Sequence, residues 1–212
     1  MKKENILYII LDGELLAKTK RNLLATAKKI LNAKPDFIQL RLKSASTKDA
    51  LAQSLRLAKL VKGHPATRLL INDRVDIAKA AGADGVHLGS EDLPVSLARK
   101  LLGRGAIIGK TAHSLKEMKQ ALKEPLDYIS VGPVFKTPLK PGLKALGAEK
   151  TKILTQTEKK QNIPVVAIGG ITLTNVTALT RQGVRNIAVT RSVTLSKDPL
   201  KTIKQFQRLL AH

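Results

Sequence analysis

Asp73 closes the apolar run LLIND, and Asp92 follows the next such run, GVHLG, as the second half of a Glu91–Asp92 pair. QLRLK spaces Gln39, Arg41 and Lys43 two residues apart, so in a strand all three share one face. Thr111 ends AIIGKT, Thr137 and Lys140 stand in KTPLK, Gly169–Gly170 follow PVVAI, and Thr190–Arg191–Ser192 follow NIAV. Two carboxylates beside Arg41, Lys43 and Lys140 suit a Mg²⁺–diphosphate group. Mg²⁺ favours one or two carboxylates together with phosphate oxygens and water. Cations then neutralise the oxygens that the metal leaves uncovered. The glycines after PVVAI, and the backbone after NIAV, let N–H groups approach a second, separate phosphate.

Each residue alone also has a plainer reading. Asp73 before Arg74 reads as a helix start with a local ion pair, and Asp92 before LPVSLARK as another. Arg41 and Lys43 could line a solvated rim, and Gly169–Gly170 could be a tight turn. His87, inside an apolar run, reads as a satisfied core or rim histidine, and His113 as a rim or capping residue; His64 and His212 read as surface. No H-x-x-H, H-E-x-x-H or G-x-S-x-G spacing occurs, so zinc hydrolysis and a nucleophile elbow find no support. The set gains weight because all its members fall at the same end of their elements.

Those elements alternate along the whole chain. Apolar, β-branched runs occur at ILYIIL, FIQLRL, LLIN, GVHLG, AIIGKT, YISVG, PVVAIGG and NIAVT. Segments of helical spacing separate them, such as RNLLATAKKILN, STKDALAQSLRLAKLVK, VSLARKLLG, SLKEMKQALK, TKILTQTEKK and TNVTALTRQG, and PLKTIKQFQRLLAH closes the chain. Ser46 or Thr47 caps one helix, and Ser114 with Glu117 forms a capping box. Eight strand–helix units predict a single-domain α/β protein over residues 1–212, a (β/α)8 or TIM barrel, with a doubly wound sheet as the competing arrangement. A barrel gathers its chemistry at the C-terminal strand ends, where all the residues above fall. The long connection KTPLKPGLKALGAEK after the sixth strand lies at that end and reads as a binding loop.

Composition narrows the function classes. The 212 residues hold no cysteine, which excludes disulfides, thiolate metal sites and a cysteine nucleophile. The opening MKKENILYIIL is too short in its apolar part for a signal peptide, and no run approaches a membrane span, so a cytoplasmic protein without membrane partners is expected. Thirty-eight basic residues against 16 acidic give a net charge of +22, spread over nearly every helix. Such a surface attracts phosphorylated metabolites or other polyanions. Aromatic residues are only 2%, too few for base stacking, so nucleic acid is not the expected partner. Whether the chain forms a homo-oligomer is left open.

With these residues in place, the sequence resembles the thiamine-phosphate synthase family. INDRVDIAKAAGADGVHLGSEDLP carries most of the likeness, with QLRLK, IIGKTAHS, DYISVGPVFKT and IPVVAIGGI. The resemblance implies a (β/α)8 barrel that joins hydroxymethylpyrimidine diphosphate to a thiazole phosphate. It assigns Mg²⁺ to Asp73 and Asp92, and the diphosphate to Arg41, Lys43, Thr111 and Lys140. Gln39 and Asn72 would help bind the pyrimidine diphosphate. Thr137, Gly170, Thr190, Arg191 and Ser192 would receive the thiazole phosphate. The chain departs from the family pattern at Leu139 and Arg191, where hydroxyl residues are usual, and at Leu42, usually acidic; Thr111 replaces a serine. The related thiazole tautomerases usually lack both acids and carry histidine at the position of Pro133, which separates them from this chain. A non-catalytic, polyanion-binding barrel is the alternative of a different class.

Overall fold

The first strand, β1 (Leu7–Asp12), pairs with β2 (Phe37–Arg41), and each later strand adds in parallel to the one before. β3 (Arg68–Asn72), β4 (Gly85–Leu88), β5 (Ile107–Ala112), β6 (Tyr128–Val131), β7 (Val165–Ile168) and β8 (Ile187–Val189) follow. β8 returns to β1 and closes an eight-stranded barrel. This computed structural model describes residues 5–139, 142–157 and 163–211. All eight apolar runs form strands where the sequence predicts them, and the barrel, not the open sheet, is the arrangement found.

The helices, in chain order, are α1 (Gly13–Lys18), α2 (Leu23–Leu31), α3 (Thr47–Lys62), α4 (Val75–Ala81) and α5 (Val95–Leu102). Then come α6 (Leu115–Ala121), α7 (Gly147–Thr157), α8 (Val176–Thr180), α9 (Arg191–Thr194) and α10 (Pro199–Ala211). The two expected caps form: Ser46 Oγ accepts the Asp49 N–H at 3.1 Å, and Ser114 Oγ accepts that of Glu117 at 3.2 Å. In α3 the buried positions Ala50, Ser54, Leu57, Ala58 and Val61 make one stripe against the sheet. Two short helices, α1 and α9, lie where sequence spacing gives no helical signal. α1 exists because Asp12 Oδ1 accepts the Leu15 N–H at 2.9 Å and starts the turn. No described helix is long and apolar enough to cross a membrane.

Strand alternation divides the core. One set, including Leu7, Ile9, Ile38, Leu40, Leu69 and Ile71, packs outward against the helices. The other, including Tyr8, Ile10, Phe37, Leu70, Tyr128, Val166 and Ala188, fills the barrel. Gly109 leaves space for Tyr128: a Cβ there would stand 2.0 Å from the Tyr128 ring.

The two ends of the barrel are built differently. At the N-terminal end, the residue just before each even-numbered strand ties down another strand's start. Asp36, Asp84 and Asp127 accept the N–H of Leu7, Leu69 and Ile108, each at 2.8 Å, and Asn186 accepts that of Ile6 at 2.9 Å. At the C-terminal end, the connection after β6 runs beside the end of β7. Val134 and Phe135 donate to the carbonyls of Ile168 and Gly169 at 2.9 and 3.0 Å. Leu146 and Gly147 then return to the carbonyls of Pro133 and Val134 at 2.8 and 2.9 Å, so the loop is tied at its base.

Candidate active site

Register places Asp12 of β1 directly beside Arg41 of β2. Arg41 Nη1 donates to Asp12 Oδ2 at 2.6 Å and approaches Glu14 Oε2 at 3.4 Å. Asp12 is almost fully buried, so its charge needs this partner. Glu14 Oε1 in turn accepts the Ser44 N–H at 2.7 Å, tying down the connection that carries Lys43. Burial pushes the Glu14 carboxyl up, but the Ser44 N–H and Arg41 outweigh it and hold the group below the usual carboxylate range. Asp12 and Glu14 thus fix the direction of Arg41. Sequence reasoning passed over both, although Asp12 ends a strand just as Asp73 nearly does.

Asp73 lies just beyond β3 with φ +64°, a left-handed conformation that a non-glycine residue adopts at a cost. Its N–H reaches the His87 carbonyl at 2.8 Å. It does not cap α4: Arg74 occupies the N-cap position and pairs with Asp76 at 2.6 Å instead. The plainer reading of Asp73 as a helix start therefore fails. The carboxylate faces Asp92 and forms an ion pair with Lys43 at 3.2 Å. Burial and the neighbouring Asp92 raise its pKa above the usual carboxylate range, with Lys43 opposing. Asp92 Oδ2 accepts the Gly89 N–H at 2.5 Å, which folds the post-β4 turn back on itself. Asn72, the last residue of β3, has a buried side-chain nitrogen, Nδ2, with no hydrogen-bond partner.

Beside Asp12 and Arg41 opens a cavity of about 240 Å³. Asp12, Arg41, Thr111 and His113 line one side, Lys136 to Leu139 form the loop wall, and Gly169 to Thr172 with Thr190 and Arg191 form the far end. Arg41, Thr111, Thr137, Gly170, Thr190 and Arg191 are thus brought together as expected from their strand-end positions. Asp73, Asp92, Lys43 and Asn72 stand apart from this lining, at the tips of β2, β3 and β4. Lys140 lies outside the described residues. Lys136 joins Arg41 and Arg191 as a cavity cation that sequence reasoning passed over.

Three local devices shape the far end. Gly170 has φ +66°, and a Cβ there would meet the Lys136 and Phe135 carbonyl oxygens at 2.6 and 2.7 Å. The Gly169–Gly170 pair is therefore required by the close approach of the post-β6 loop, beyond any turn requirement. Ser192 Oγ donates to the Ile171 carbonyl at 2.5 Å, so its hydroxyl is committed to joining the β7 and β8 ends. Arg21 donates to the carbonyls of Thr194, Ser196 and Leu195 at 3.2, 2.8 and 2.9 Å, clamping the end of α9 whose start bears Arg191. No sequence pattern flagged Arg21.

Two of the remaining residues lie deeper. Gln39 is 2% exposed, and its amide donates to the Tyr8 hydroxyl at 2.7 Å inside the barrel. His87 contacts Tyr128 at 2.7 Å and Thr111 at 2.8 Å, the satisfied interior histidine that its position predicts. His113 meets the Gly132 carbonyl at 2.6 Å, and its N–H completes the α6 cap with Glu117 at 2.9 Å. Among the described residues, no cluster of three or more His, Asp or Glu side chains could enclose a metal. Any cation here would be held by the Asp73–Asp92 pair together with ligands from a substrate.

The family model described as "Thiamine monophosphate synthase" matches residues 7–193. Thiamine-phosphate synthase of Prochlorococcus marinus (strain AS9601) is 40% identical over 210 residues, covering 99% of this chain and 57% of that protein. That of Chloroflexus aurantiacus (strain ATCC 29366 / DSM 635 / J-10-fl) is 36% identical over 206 residues, covering 97% of this chain and 92% of the relative. The thiamine phosphate pyrophosphorylase structure from Pyrococcus furiosus superposes with a TM-score of 0.85 at 31% identity, covering 98% and 96% of the two chains. The chain spans about half the length of several of the curated relatives it matches. It belongs to the thiamine monophosphate synthase family.

Proposed function

We propose that this chain is a Mg²⁺-dependent transferase that joins hydroxymethylpyrimidine diphosphate to a thiazole phosphate, forming thiamine phosphate and diphosphate. The observation that carries the reading is the pair of facing carboxylates, Asp73 and Asp92, beside Lys43 and one strand away from the held guanidinium of Arg41. Two like charges turned toward each other, with Asp73 partly desolvated, fit a divalent cation better than they fit a structural ion pair. When bound, the cation would neutralise diphosphate oxygens and so stabilise the leaving group.

The chain's own residues would act by holding and orienting. Arg41 and Lys43 meet the diphosphate oxygens, with Lys140 assigned the same role by its position in the sequence. Thr111 adds a hydroxyl from the cavity wall. The unpartnered Asn72 Nδ2 meets the pyrimidine, while Gln39, whose amide donates to Tyr8 inside the barrel, acts through that bond and not by direct contact. The bond from the pyrimidine methylene carbon to the diphosphate oxygen breaks with its electron pair on oxygen. The ring amino group stabilises the cation that remains. The thiazole nitrogen lone pair then forms the new C–N bond, and no proton needs removal from that nitrogen. Catalysis therefore comes from charge neutralisation and positioning, and the reaction calls for no general base at the thiazole nitrogen.

The cavity beside Lys136, Thr137, Gly170 and Arg191 supports the thiazole phosphate as its occupant. Arg191 brings a charged group where the family pattern has a hydroxyl. The test is turnover by the purified protein with both substrates, in Mg²⁺ or in EDTA, with thiamine phosphate read as its fluorescent oxidation product. Product in Mg²⁺ and none in EDTA is expected. No product under either condition, from folded protein, would overturn the reading.

A further inference from the structure

Six side chains from five strands form a continuous hydrogen-bonded path across the barrel interior. Gln39 Nε2 meets Tyr8 Oη at 2.7 Å, and Tyr8 Oη meets Tyr128 Oη at 3.0 Å. Tyr128 Oη meets His87 Nδ1 at 2.7 Å, and His87 Nε2 meets Thr111 Oγ1 at 2.8 Å. Ser130 Oγ lies 3.1 Å from Thr111 Oγ1 and 3.4 Å from His87 Nε2. Ring packing holds the middle of the path: His87 stacks on Tyr128 at 5.5 Å, and Tyr8 meets both edge-on.

We propose that Gln39 sets a single direction for the hydrogens along this path, and that the direction makes the Thr111 hydroxyl a donor to an anionic oxygen in the cavity. An amide nitrogen only donates, so Tyr8 accepts from Gln39. The one hydrogen of Tyr8 then goes to Tyr128, its remaining hydrogen-bond partner among the described residues. Tyr128 in turn donates to His87 Nδ1. That nitrogen is an acceptor, so the ring hydrogen sits on Nε2 and is donated to Thr111 Oγ1. With its oxygen accepting from His87, Thr111 turns its own hydrogen either to Ser130 or into the cavity that it lines. An anionic oxygen outcompetes a neutral hydroxyl for that hydrogen. Burial keeps both phenols protonated by pushing them far above their ordinary pKa, so the path is not broken by ionisation.

Turning the Gln39 amide over would reverse every step. Thr111 would then donate to His87 and present lone pairs to the anion. Gln39, Tyr8, Tyr128 and His87 are thus positioning residues for Thr111. The inference rests on the proposed function only for the anion's identity, the diphosphate.

The test reads the His87 tautomer directly, by long-range ¹H–¹⁵N NMR of the ring nitrogens. The protein has four histidines, and His87→Gln assigns the signal. The ligand-free wild type is expected in the Nε2–H tautomer. Gln39→Glu, whose carboxylate can only accept, is expected to convert it to Nδ1–H and to weaken inorganic diphosphate binding in Mg²⁺ about tenfold. Gln39→Met, which keeps the length but removes the donor, is expected to average the two tautomers should the buried glutamate fail to fold. A wild-type Nδ1–H tautomer, or an unchanged Nε2–H signature in the folded Gln39 variants, would overturn the proposal. The expected tautomers in a protein that makes no thiamine phosphate would support the path while the proposed function fell.

Discussion

Asp73 combines a left-handed backbone, partial burial and a facing carboxylate, three features that each cost stability in the ligand-free protein. Its pKa is raised, so the folded chain holds this proton more tightly than the unfolded chain does. The stabilising contribution is therefore full below the ordinary carboxylate range and is lost as pH rises through the folded value. Above that value the ionised Asp73 facing Asp92 is a net burden, which the proposed divalent cation would relieve. Asp73→Asn should raise the Tm in EDTA, by about 2–4 °C for each kcal/mol relieved. It should also lower kcat/KM on the order of 100-fold or more. Near-normal turnover in this variant would remove the acid pair from the mechanism. Leu139, 41% exposed on the cavity wall, gives a second test at this scale. Leu139→Thr should change KM for the thiazole phosphate several-fold, about 1 kcal/mol for one added hydrogen bond, and leave the pyrimidine diphosphate unaffected. Equal KM values for both substrates before and after would place the loop elsewhere.

At the level of elements, the strands were legible because period-2 burial and apolar runs are local properties. Asp73 and Asp92 could be singled out for the same reason: each follows an apolar run. What sequence could not carry was pairing across the barrel. Arg41 gains its meaning from Asp12 and Glu14 on the neighbouring strand and helix, and Arg21 from α9, more than 170 residues away. α1 and α9 were illegible because one cap and one clamp, not periodicity, sustain such short helices. The two barrel ends also separate stability from function. Asp84→Ala, which frees the Leu69 N–H at the N-terminal end, should cost about 1–2 kcal/mol in urea unfolding with kcat unchanged. Gly170→Ala at the other end should displace the post-β6 loop, since the added carbon would meet two carbonyl oxygens. That strain is worth about 1–3 kcal/mol, and KM for the thiazole phosphate should rise with it. A Gly170→Ala protein of wild-type stability and kinetics would contradict the close approach.

For the molecule as a whole, the net charge of +22 suits the proposed reaction, in which both substrates would be phosphorylated anions. A field of that size raises local substrate concentration at the barrel mouth and is screened by salt. On this account kcat/KM should fall several-fold between low and physiological ionic strength while kcat holds steady. The barrel supplies the rest: facing acids at the tips of β3 and β4 for the proposed cation, a held arginine at β2, and a cavity lined by basic side chains that reaches β8. The central claim is that Asp73 and Asp92 hold the metal that holds the leaving group. Calorimetric binding of inorganic diphosphate tests it most directly, in Mg²⁺ and in EDTA, with wild type and with Asp73→Asn. The account predicts that Mg²⁺ tightens binding to wild type at least about tenfold, and that Asp73→Asn abolishes this gain. Equal affinity with and without Mg²⁺ in the wild type would contradict it.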